Sequence, residues 1–448
     1  MSKDLRSTTP RIGIVYRFGD SRPLGVGQLT ITDRTIVLEL PTGLDITVGF
    51  DEPEPFTVST DVLDSTGRLV FADHSMRIGL GECRLAGQSS NLIGELTGRV
   101  RVAARFAVEL DNLSQDLFNI NGMRSEIDGL AAWTALSSVE KQTHYDDQGL
   151  ISGLTTTARS QTKVDIAPSS GLSFNPHFSY EESRNHGTHT ITEKVLVQTF
   201  LPTAADWEPH VMVHQSVQDL LTIAYWRRCQ LQIASVTNKD HPLTDPLDGT
   251  PLSDRWRSST STWSGRGQIH HGSSLNGRDT PLFSFDDIGV EGVRRWVDEA
   301  NDWARVVNPL SSSRFQRGST TEVLLLQVGV AIEALGYRIA TRNGTLNTRR
   351  QLSFPQYMKT IHDSLDCSID SVIRGDDNNG VAPFGSFEDW AAAFNSLYKG
   401  AKHADQPSPD SLRTWVIATS GALLVRLWLA REFGASRETV EFMAQCSR

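Results

Sequence analysis

Two patterns of apolar and polar residues divide this chain into a β-rich first part and a helical last part. Between residue 10 and about residue 110, and again from 150 to 202, short runs rich in Val, Ile, Thr and Phe partly alternate with polar residues. Gly and Pro punctuate these runs, as they do between the strands of a sheet. The pattern predicts an all-β sandwich or barrel, with a short helix or turn around Trp133.

From residue 207 onward, apolar residues recur at helical spacing instead. A threonine opens the helix that begins at residue 321, and Ser353 with Pro355 begins the next one; helix starts favour these residue types. Several helices joined by short links are typical of an α bundle. The predicted helices cover residues 207–236, 289–307, 321–340, 354–365, 387–405 and 411–433.

Together, the two patterns predict an α+β multidomain fold, with a β-rich N-terminal region followed by an all-α C-terminal bundle. The β-rich region is expected to comprise residues 1–206, and the helical bundle residues 319–448. Between them, residues 207–318 are expected to form a helical connector with a polar loop rich in Arg and Trp. A chain of 448 residues is long enough for two or three domains.

The composition and net charge limit how the protein could bind nucleic acid. The chain has a formal net charge of −10, and 38% of its residues are hydrophobic. This hydrophobic content is sufficient to form packed cores, so the chain is not of the disordered class. The negative charge excludes a uniformly basic surface for nucleic acid, and any contact with nucleic acid has to be confined to a local basic patch.

The histidines and cysteines give no strong signal for a metal site. His186 and His189 form a pair in NHGTH, but such pairs without a third ligand are more often surface residues. No two cysteines have metal-ligand spacing, and no disulfide framework is suggested. The sequence predicts reduced, buried thiols in a cytoplasmic protein. The cysteines are Cys83, Cys229, Cys367 and Cys446.

The chain shows no obvious targeting or membrane segment. Its first 13 residues contain no apolar core of the length that a signal peptide needs. The longest apolar runs, residues 324–335 and 422–430, are interrupted by Gln327, Glu333 and Arg426. We interpret both runs as core helices that are too short and too polar to span a bilayer, and no membrane partner is expected.

One polar segment, residues 255–278, combines arginine with aromatic residues. Arginine interleaved with aromatic side chains can hold the phosphates and stack on the bases of single-stranded nucleic acid. The alternative, which we favour, is a surface loop without a binding role. The RNA-binding candidates are Arg255, Arg257, Arg266 and Trp263.

The helix predicted over residues 387–405 has two distinct faces. One carries an aromatic stripe suited to a core, and the other carries Asn395, Lys399 and His403. Since Lys399 and His403 are four residues apart, their side chains are expected to meet on one face of the helix. The alternative is an ordinary solvated polar face, because exposed charged faces are common.

A second candidate feature is a stripe of small and acidic residues on the helix that begins at residue 321. Gly329 and Gly336 on this stripe would let another helix approach closely, and Glu333 lies between them. A partly enclosed Glu333 would need a cation or a hydrogen-bond donor as its partner. The alternative is an ordinary exposed acid.

Two parts of the chain resemble one protein family. The β-rich start followed by SEIDGLAAWTAL resembles the N-terminal region of ApeA-type bacterial abortive-infection proteins. LLLQVGVAIEAL, NSLYKGAKHADQPSPD and the long final helix resemble an ApeA-like HEPN domain. The resemblance implies a small α bundle, and many HEPN domains are metal-independent endoribonucleases that act as dimers. Related defence proteins cleave RNA, including tRNA, and so stop phage growth.

The resemblance also assigns roles by position. His403 matches the family's histidine, Lys399 stands nearest the place of its arginine, and Asn395 is a polar helper. The sequence departs from the family's motif because the helix has no arginine and only three residues separate Lys399 from His403. On this resemblance we expect an anti-phage endoribonuclease without a cofactor or metal, acting on RNA as a homodimer or higher homo-oligomer. The N-terminal region would sense a phage-derived trigger or restrain the bundle.

Two other functions remain open at this point. The first is a non-catalytic HEPN module in which the face of Lys399 and His403 binds RNA, a nucleotide or a protein partner. The altered motif is the reason to consider it, because lysine holds a phosphate less rigidly than the planar guanidinium of arginine. The second is a structural or interaction protein whose β region binds a phage component.

Overall fold

The computed structural model describes most of the chain, namely residues 5–6, 9–32, 35–42, 63, 66–90, 98–183, 187–245, 247–262, 275, 279–316, 318–345, 352–369, 372, 384–403 and 410–446. Within these residues a large antiparallel sheet is followed by packed helices. The α+β fold class predicted from the sequence is therefore confirmed.

The described strands belong to one large sheet and two separate hairpins. The sheet has the order β12-β13-β14-β9-β15-β18-β8-β5-β4-β1-β2-β3-β7-β6, and the hairpins are β10–β11 and β16–β17. One of the short β-type runs expected between residues 10 and 110, at residues 56–63, lies outside the described residues, apart from Leu63. The strands are β1 Arg11–Arg17, β2 Pro23–Ile31, β3 Ile36–Thr42, β4 Leu69–Ala72, β5 Arg77–Gly81, β6 Arg84–Ser90, β7 Gly98–Ala104, β8 Phe106–Leu110, β9 Ile120–Ile127, β10 Val139–Tyr145, β11 Ile151–Ala158, β12 Val164–Ala167, β13 Leu172–Ser183, β14 Thr188–Ala205, β15 Leu231–Thr237, β16 Leu243–Thr244, β17 Pro251–Ser253 and β18 Arg257–Ser261.

The half of the sheet that contains β1–β5 and β7 curls around a core of its own. Ile78 of β5 and Val102 of β7 belong to one cluster of buried side chains, although β4, β1, β2 and β3 lie between those strands in the sheet. A core that is shared by strands so far apart in the sheet is typical of a curved, barrel-like sheet. Among the described strands, β12 and β6 each have a single neighbour, so this barrel-like sheet stays open.

The helices follow the sheet in sequence, except for two that are inserted between its strands. The short α1 carries Trp133, which is buried and donates from Nε1 to the carbonyl oxygen of Phe283 at 2.8 Å. The prediction of a short helix around this tryptophan is confirmed. The helices are α1 Leu130–Thr134, α2 Trp207–Tyr225, α3 Phe285–Asp298, α4 Ala300–Phe315, α5 Thr321–Arg342, α6 Phe354–Leu365, α7 Phe387–Lys402, α8 Ser411–Glu432 and α9 Arg437–Cys446.

The helices predicted over residues 207–236 and 289–307 differ most from the structure. The helix predicted over residues 207–236 ends at Tyr225, because Trp226 adopts a left-handed backbone with a φ of 53°. The chain then enters β15, which lies between β9 and β18 in the sheet. The helix predicted over residues 289–307 is two helices, α3 and α4, which meet at Glu299. The connector predicted as helical therefore also contributes strands to the large sheet.

Helix α2 is fixed to the sheet by a buried polar network. The hydroxyl of Thr199 on β14 lies 2.8 Å from His210 Nδ1 and 3.0 Å from His214 Nε2. His214 Nδ1 lies 2.6 Å from the hydroxyl of Ser125 on β9, and all four side chains are buried. Burial lowers the pKa of His210 to about 4 and that of His214 to about 3. Both imidazoles are therefore neutral at pH 7.

The helical bundle is joined to α2 by a buried arginine. Arg426 of α8 donates from Nε to the carbonyl oxygen of Ile223 at 2.7 Å, and from Nη2 to that of Ala224 at 2.9 Å. Both carbonyl groups lie in the last turn of α2, where they have no partner within their own helix. Burial, and secondarily Arg314, lowers the pKa of Arg426 to about 9. The guanidinium therefore remains charged at neutral pH and favours the negative end of the helix dipole.

The two longest helices of the bundle, α5 and α8, each have 22 residues. By length and composition alone, both helices could cross a membrane, so the prediction that their apolar runs belong to core helices remains a prediction. In the fold, 56% of the most apolar window of α5 and 67% of that of α8 are buried. Helices in the core of a soluble protein are buried in the same way, so length and composition alone do not show whether α5 and α8 cross a membrane.

Candidate functional site

Helix α7 is amphipathic, as its sequence predicts. It begins at Ser386, whose hydroxyl accepts a hydrogen bond from a backbone N–H of the first turn at 3.1 Å. Trp390, Phe394 and Tyr398 recur every four residues on one side and are buried, so they fix the rotation of the helix. Lys399 is exposed on the other side.

The two glycines of α5 allow the neighbouring helices to approach it closely. A Cβ atom at Gly329 would lie 2.3 Å from Cε2 of Tyr398 on α7, and one at Gly336 would lie 2.5 Å from Cβ of Tyr357 on α6. Neither distance is compatible with a larger residue at its position. The close approach predicted from the glycine stripe is therefore confirmed.

Glu333, between these glycines, has both kinds of partner predicted from the sequence. The hydroxyl of Tyr398 donates to Oε2 at 3.3 Å, and Nζ of Lys402 lies 3.7 Å from Oε1. Burial and the nearby Glu333 carboxylate raise the pKa of Tyr398 above its ordinary value, so this hydroxyl stays protonated and can donate. Sequence reasoning missed Lys402, although its position four residues after Tyr398 was an available signal.

The helix ends before His403, which differs from the prediction of a helix to residue 405. His403 is the C-cap, with an extended backbone at φ −120° and ψ 116°. Its backbone N–H donates to the carbonyl oxygen of Lys399 at 3.0 Å, so a main-chain hydrogen bond links the two residues. Because His403 is not helical, the i, i+4 rule does not set the distance between the side chains.

Both side chains of this pair are accessible. Lys399 and His403 are exposed, while Asn395, one turn earlier, is half-buried. Neither Lys399 nor His403 forms a side-chain hydrogen bond or ion pair with any residue that the structure describes. A cation and an imidazole are therefore available to a ligand at the end of α7.

A groove of about 1450 Å³ runs beside this end of the bundle and is lined by residues of α4, α5 and α6, with Glu333 on its wall. The guanidinium of Arg338 lies 3.9 Å from the ring centroid of Trp303 and donates to the carbonyl oxygen of Asp302 at 2.7 Å. Arg342 pairs with Glu432 at 2.8 Å. Since its arginines are matched by carboxylates, the groove is not a strongly basic channel.

The structure describes two of the four RNA-binding candidates of the polar segment, and both are engaged by a carboxylate. Arg255 and Arg257 both pair with the carboxylate of Asp111, and the side chain of Arg257 is only 5% exposed. Trp256 faces elsewhere, with the guanidinium of Arg124 3.7 Å from its ring centroid. Trp263 and Arg266 lie outside the described residues.

The histidine pair and the cysteines, which were weighed as metal or thiol sites, are described in part. The hydroxyl of Tyr180 lies 2.6 Å from Nδ1 of His189, and His186 lies outside the described residues. Across the part of the chain that the structure describes, no three His, Cys, Asp or Glu side chains come together as a metal site requires. Cys83 and Cys229 are buried as predicted, but Cys446 is exposed, so the prediction of buried thiols is wrong for that residue.

Comparison with known proteins identifies one similarity. Residues 26–318 match the model of the family described as ApeA N-terminal domain 1. The match covers more than half of the chain and extends from β2 to the end of α4, while α5–α9 lie beyond it. No curated protein and no solved structure matches the chain.

Proposed function

The chain belongs to the family of ApeA N-terminal domain 1, and from this premise we propose that it is an ApeA-type anti-phage defence protein with a HEPN-type endoribonuclease in its C-terminal helices. The family membership carries the defence role. The exposed imidazole of His403 beside the exposed ammonium of Lys399 supports the cleavage of RNA, including tRNA. The N-terminal region senses the phage or restrains the bundle.

The chemistry needs few groups. In RNA cleavage without a metal ion, the 2′-hydroxyl attacks the adjacent phosphorus while a base takes its proton and an acid protonates the leaving 5′-oxygen. Histidine titrates near neutral pH and can serve as either the base or the acid. The transition state gains negative charge on its phosphoryl oxygens, and a fixed cation beside them lowers the barrier. In this proposal His403 transfers the proton and Lys399 stabilises the charge.

The neighbouring residues favour Lys399 over Lys402 as the catalytic cation. The ammonium of Lys402 is held between the Glu333 carboxylate and the ring of Tyr398, so an acidic partner already neutralises part of its charge. Lys399 has no such partner among the described residues. Of these two lysines, Lys399 is therefore the one that offers a phosphate a cation without a described acidic partner, with Asn395 half-buried one turn away.

The proposal includes a homodimer. A single His403 can act as the base or as the acid, but the reaction needs both. A second copy of the chain would place its own His403 and Lys399 across the RNA and complete the pair. Full activity then requires two protomers at one site.

A second candidate is a non-catalytic HEPN module that binds RNA through the same face. It is favoured by the position of His403 beyond the last helical residue and by the absence of arginine from residues 387–403. Both features weaken the fixed geometry that proton transfer requires, while neither prevents binding.

One experiment separates the two candidates. Purified full-length protein is incubated with total tRNA in EDTA, with His403→Ala and with His144→Ala, an exposed histidine of β10, as the control. We expect the control to cut like the wild type and His403→Ala to be inactive at an unchanged melting temperature. Cleavage by His403→Ala at the wild-type rate would remove His403 from the mechanism. Binding of RNA by the wild type without any cleavage would select the non-catalytic module.

A further inference from the structure

The face of the sheet that points away from α2 carries a cavity of about 460 Å³. Side chains alternate between the two faces along a strand. Thr199 contacts the histidines of α2, so its neighbours Gln198 and Phe200 point to the opposite face. Both line the cavity, together with Lys163 and Asp254.

The amide of Gln198 is buried and has a fixed orientation. Gln198 is 7% exposed, and its Oε1 accepts from Nε of Arg124 at 2.8 Å and from Nδ2 of Asn175 at 3.3 Å. Arginine has only donors, so the oxygen must face Arg124 and the amide NH₂ group must point the other way. This NH₂ group has no hydrogen-bond partner in the described part of the chain, and it is the donor that Gln198 presents to the cavity.

An aromatic surface adjoins this donor. A Cβ atom at Gly122 would lie 2.8 Å from Cδ2 of Phe200 and 2.9 Å from Cη2 of Trp256. Glycine therefore lets both rings lie against the sheet. The guanidinium of Arg124 stacks on Trp256 at 3.7 Å and so holds that ring in place. Phe200 contributes an aromatic wall to the cavity, which suits a planar ligand.

The charged groups that line the cavity indicate which polar groups a ligand would need there. Nζ of Lys163 pairs with Asp165 at 2.8 Å, whereas the exposed Asp254 forms no hydrogen bond or ion pair with a described side chain and interacts only electrostatically with Arg124. A carboxylate whose oxygens still lack a hydrogen-bond donor disfavours a ligand that is only an anion. It favours a ring with adjacent N–H groups, since a carboxylate can accept two hydrogen bonds side by side. The amide NH₂ group of Gln198 is a donor, so the ligand also needs an acceptor such as a carbonyl oxygen.

We propose that this cavity binds a guanine nucleotide. Guanine presents a carbonyl oxygen for the Gln198 NH₂ group, beside two N–H groups for the Asp254 carboxylate. Its ring stacks on Phe200, as bases do on aromatic side chains in RNA-binding proteins. Lys163 lines the cavity, and Nζ of Lys239 lies 5.0 Å from the Phe200 ring centroid, so two cations are close enough to attract the phosphate. Adenine offers one donor group to the carboxylate instead of two. This site is independent of the proposed RNA cleavage.

Isothermal titration of the full-length protein with guanosine monophosphate tests the proposal. We expect Asp254→Asn to weaken binding at least about tenfold, because a hydrogen bond to a charged group is lost. Asp147→Asn, at an exposed position of the β10–β11 hairpin, is the matched control and is expected to bind like the wild type. Adenosine monophosphate is expected to bind at least about tenfold more weakly than guanosine monophosphate.

A second variant tests the buried amide. Gln198→Glu keeps the shape of the side chain and a partner for Arg124 but replaces the NH₂ donor with an acceptor. It is expected to lower the affinity for guanosine monophosphate at least about tenfold, with an unchanged melting temperature. The proposal is overturned if the wild type shows no saturable binding up to about 1 mM. It is equally overturned if Asp254→Asn binds normally, or if inorganic phosphate competes as well as the nucleotide.

Discussion

The ammonium of Lys402 lies 3.7 Å from the ring centroid of Tyr398. The same ring fills the space left by Gly329 on α5, so the last turn of α7 is held to α5 by this ring together with the ion pair of Lys402 and Glu333. Lys399 belongs to that turn, and His403 follows it. The position of the proposed catalytic pair therefore depends on the packing of Tyr398, the residue that precedes Lys399 in the helix.

Gly329→Ala is predicted to destabilise the protein and disturb this end of α7. The new methyl group would overlap the ring of Tyr398, at a cost of about 1–3 kcal/mol, which the better helix propensity of alanine offsets by about 1 kcal/mol. Urea unfolding followed by tryptophan fluorescence measures the difference. Gly87→Ala, where no atom lies within 4 Å of the new Cβ, is the control and is expected to change stability by less than about 0.5 kcal/mol. An unchanged midpoint for Gly329→Ala would contradict the packing described here.

Local signals made parts of the fold predictable. The helix predicted over residues 354–365 has the same bounds in the structure, because Ser353 and Gln356 form a capping box that acts within a few residues. The strand β15 was missed because Leu231 continues the helical spacing of α2. Helix α2 ends before Trp226, which has a left-handed backbone. The end of the helix is set by tertiary contacts, such as that of Arg426 with the carbonyl groups of its last turn, and the spacing of apolar residues does not show it.

The candidate site was less predictable, because its contacts join residues far apart in the sequence. Arg257 looked available for RNA, yet the sequence could not show that Asp111, 146 residues earlier, pairs with it. Glu333 was expected to need a partner, but only the packing of α7 on α5 identifies it as Lys402. Conversely, α7 has no glycine at its C-cap, which is the usual sequence signal for the end of a helix. The sequence therefore predicted a helical His403, whereas its backbone is extended.

Stability is predicted to fall in mild acid because of the two buried histidines of α2. Burial lowers the pKa of His210 to about 4 and of His214 to about 3 in the folded state, while an unfolded histidine titrates near 6.5. The unfolded chain therefore binds more protons below about pH 6.5. The contribution of the two neutral histidines to the free energy of unfolding is fully present above that pH. It is lost as the pH falls towards 4, by roughly 3 kcal/mol for His210 alone.

Urea unfolding at pH 7.5, 6, 5 and 4.5 measures this dependence. His214→Gln is expected to reduce the slope of the unfolding free energy against pH, because one of the two buried imidazoles no longer takes up a proton on unfolding. His189→Gln changes an exposed histidine and should leave the slope as in the wild type. Equal slopes for all three proteins would show that other groups control the acid response.

Arg426→Met is predicted to destabilise the junction between the bundle and α2. The variant leaves the buried carbonyl oxygen of Ile223 without its donor, which costs about 1–3 kcal/mol. The carbonyl oxygen of Ala224 loses one of its two donors and keeps the backbone N–H of Leu282 at 2.7 Å. Arg426→Lys should recover little of the loss, since an ammonium cannot reproduce the two-pronged contact of a guanidinium. Thermal unfolding measures both variants against Arg413→Met, an exposed arginine of the same helix. A melting temperature for Arg426→Met equal to that of the control would refute the capping role.

Lys399→Arg is predicted to retain or increase RNA cleavage, whereas Lys399→Ala is predicted to lower the rate at least about tenfold. The alanine variant removes the cation that stabilises the transition state. The arginine variant supplies a planar fork that holds a phosphate with two hydrogen bonds. Rates on total tRNA in EDTA are compared with those of Lys359→Arg and Lys359→Ala on α6, where the lysine is exposed and pairs with Asp363. If Lys399→Ala cuts as fast as Lys359→Ala, the charge at position 399 contributes nothing to the reaction, and another cation has to be sought for the site.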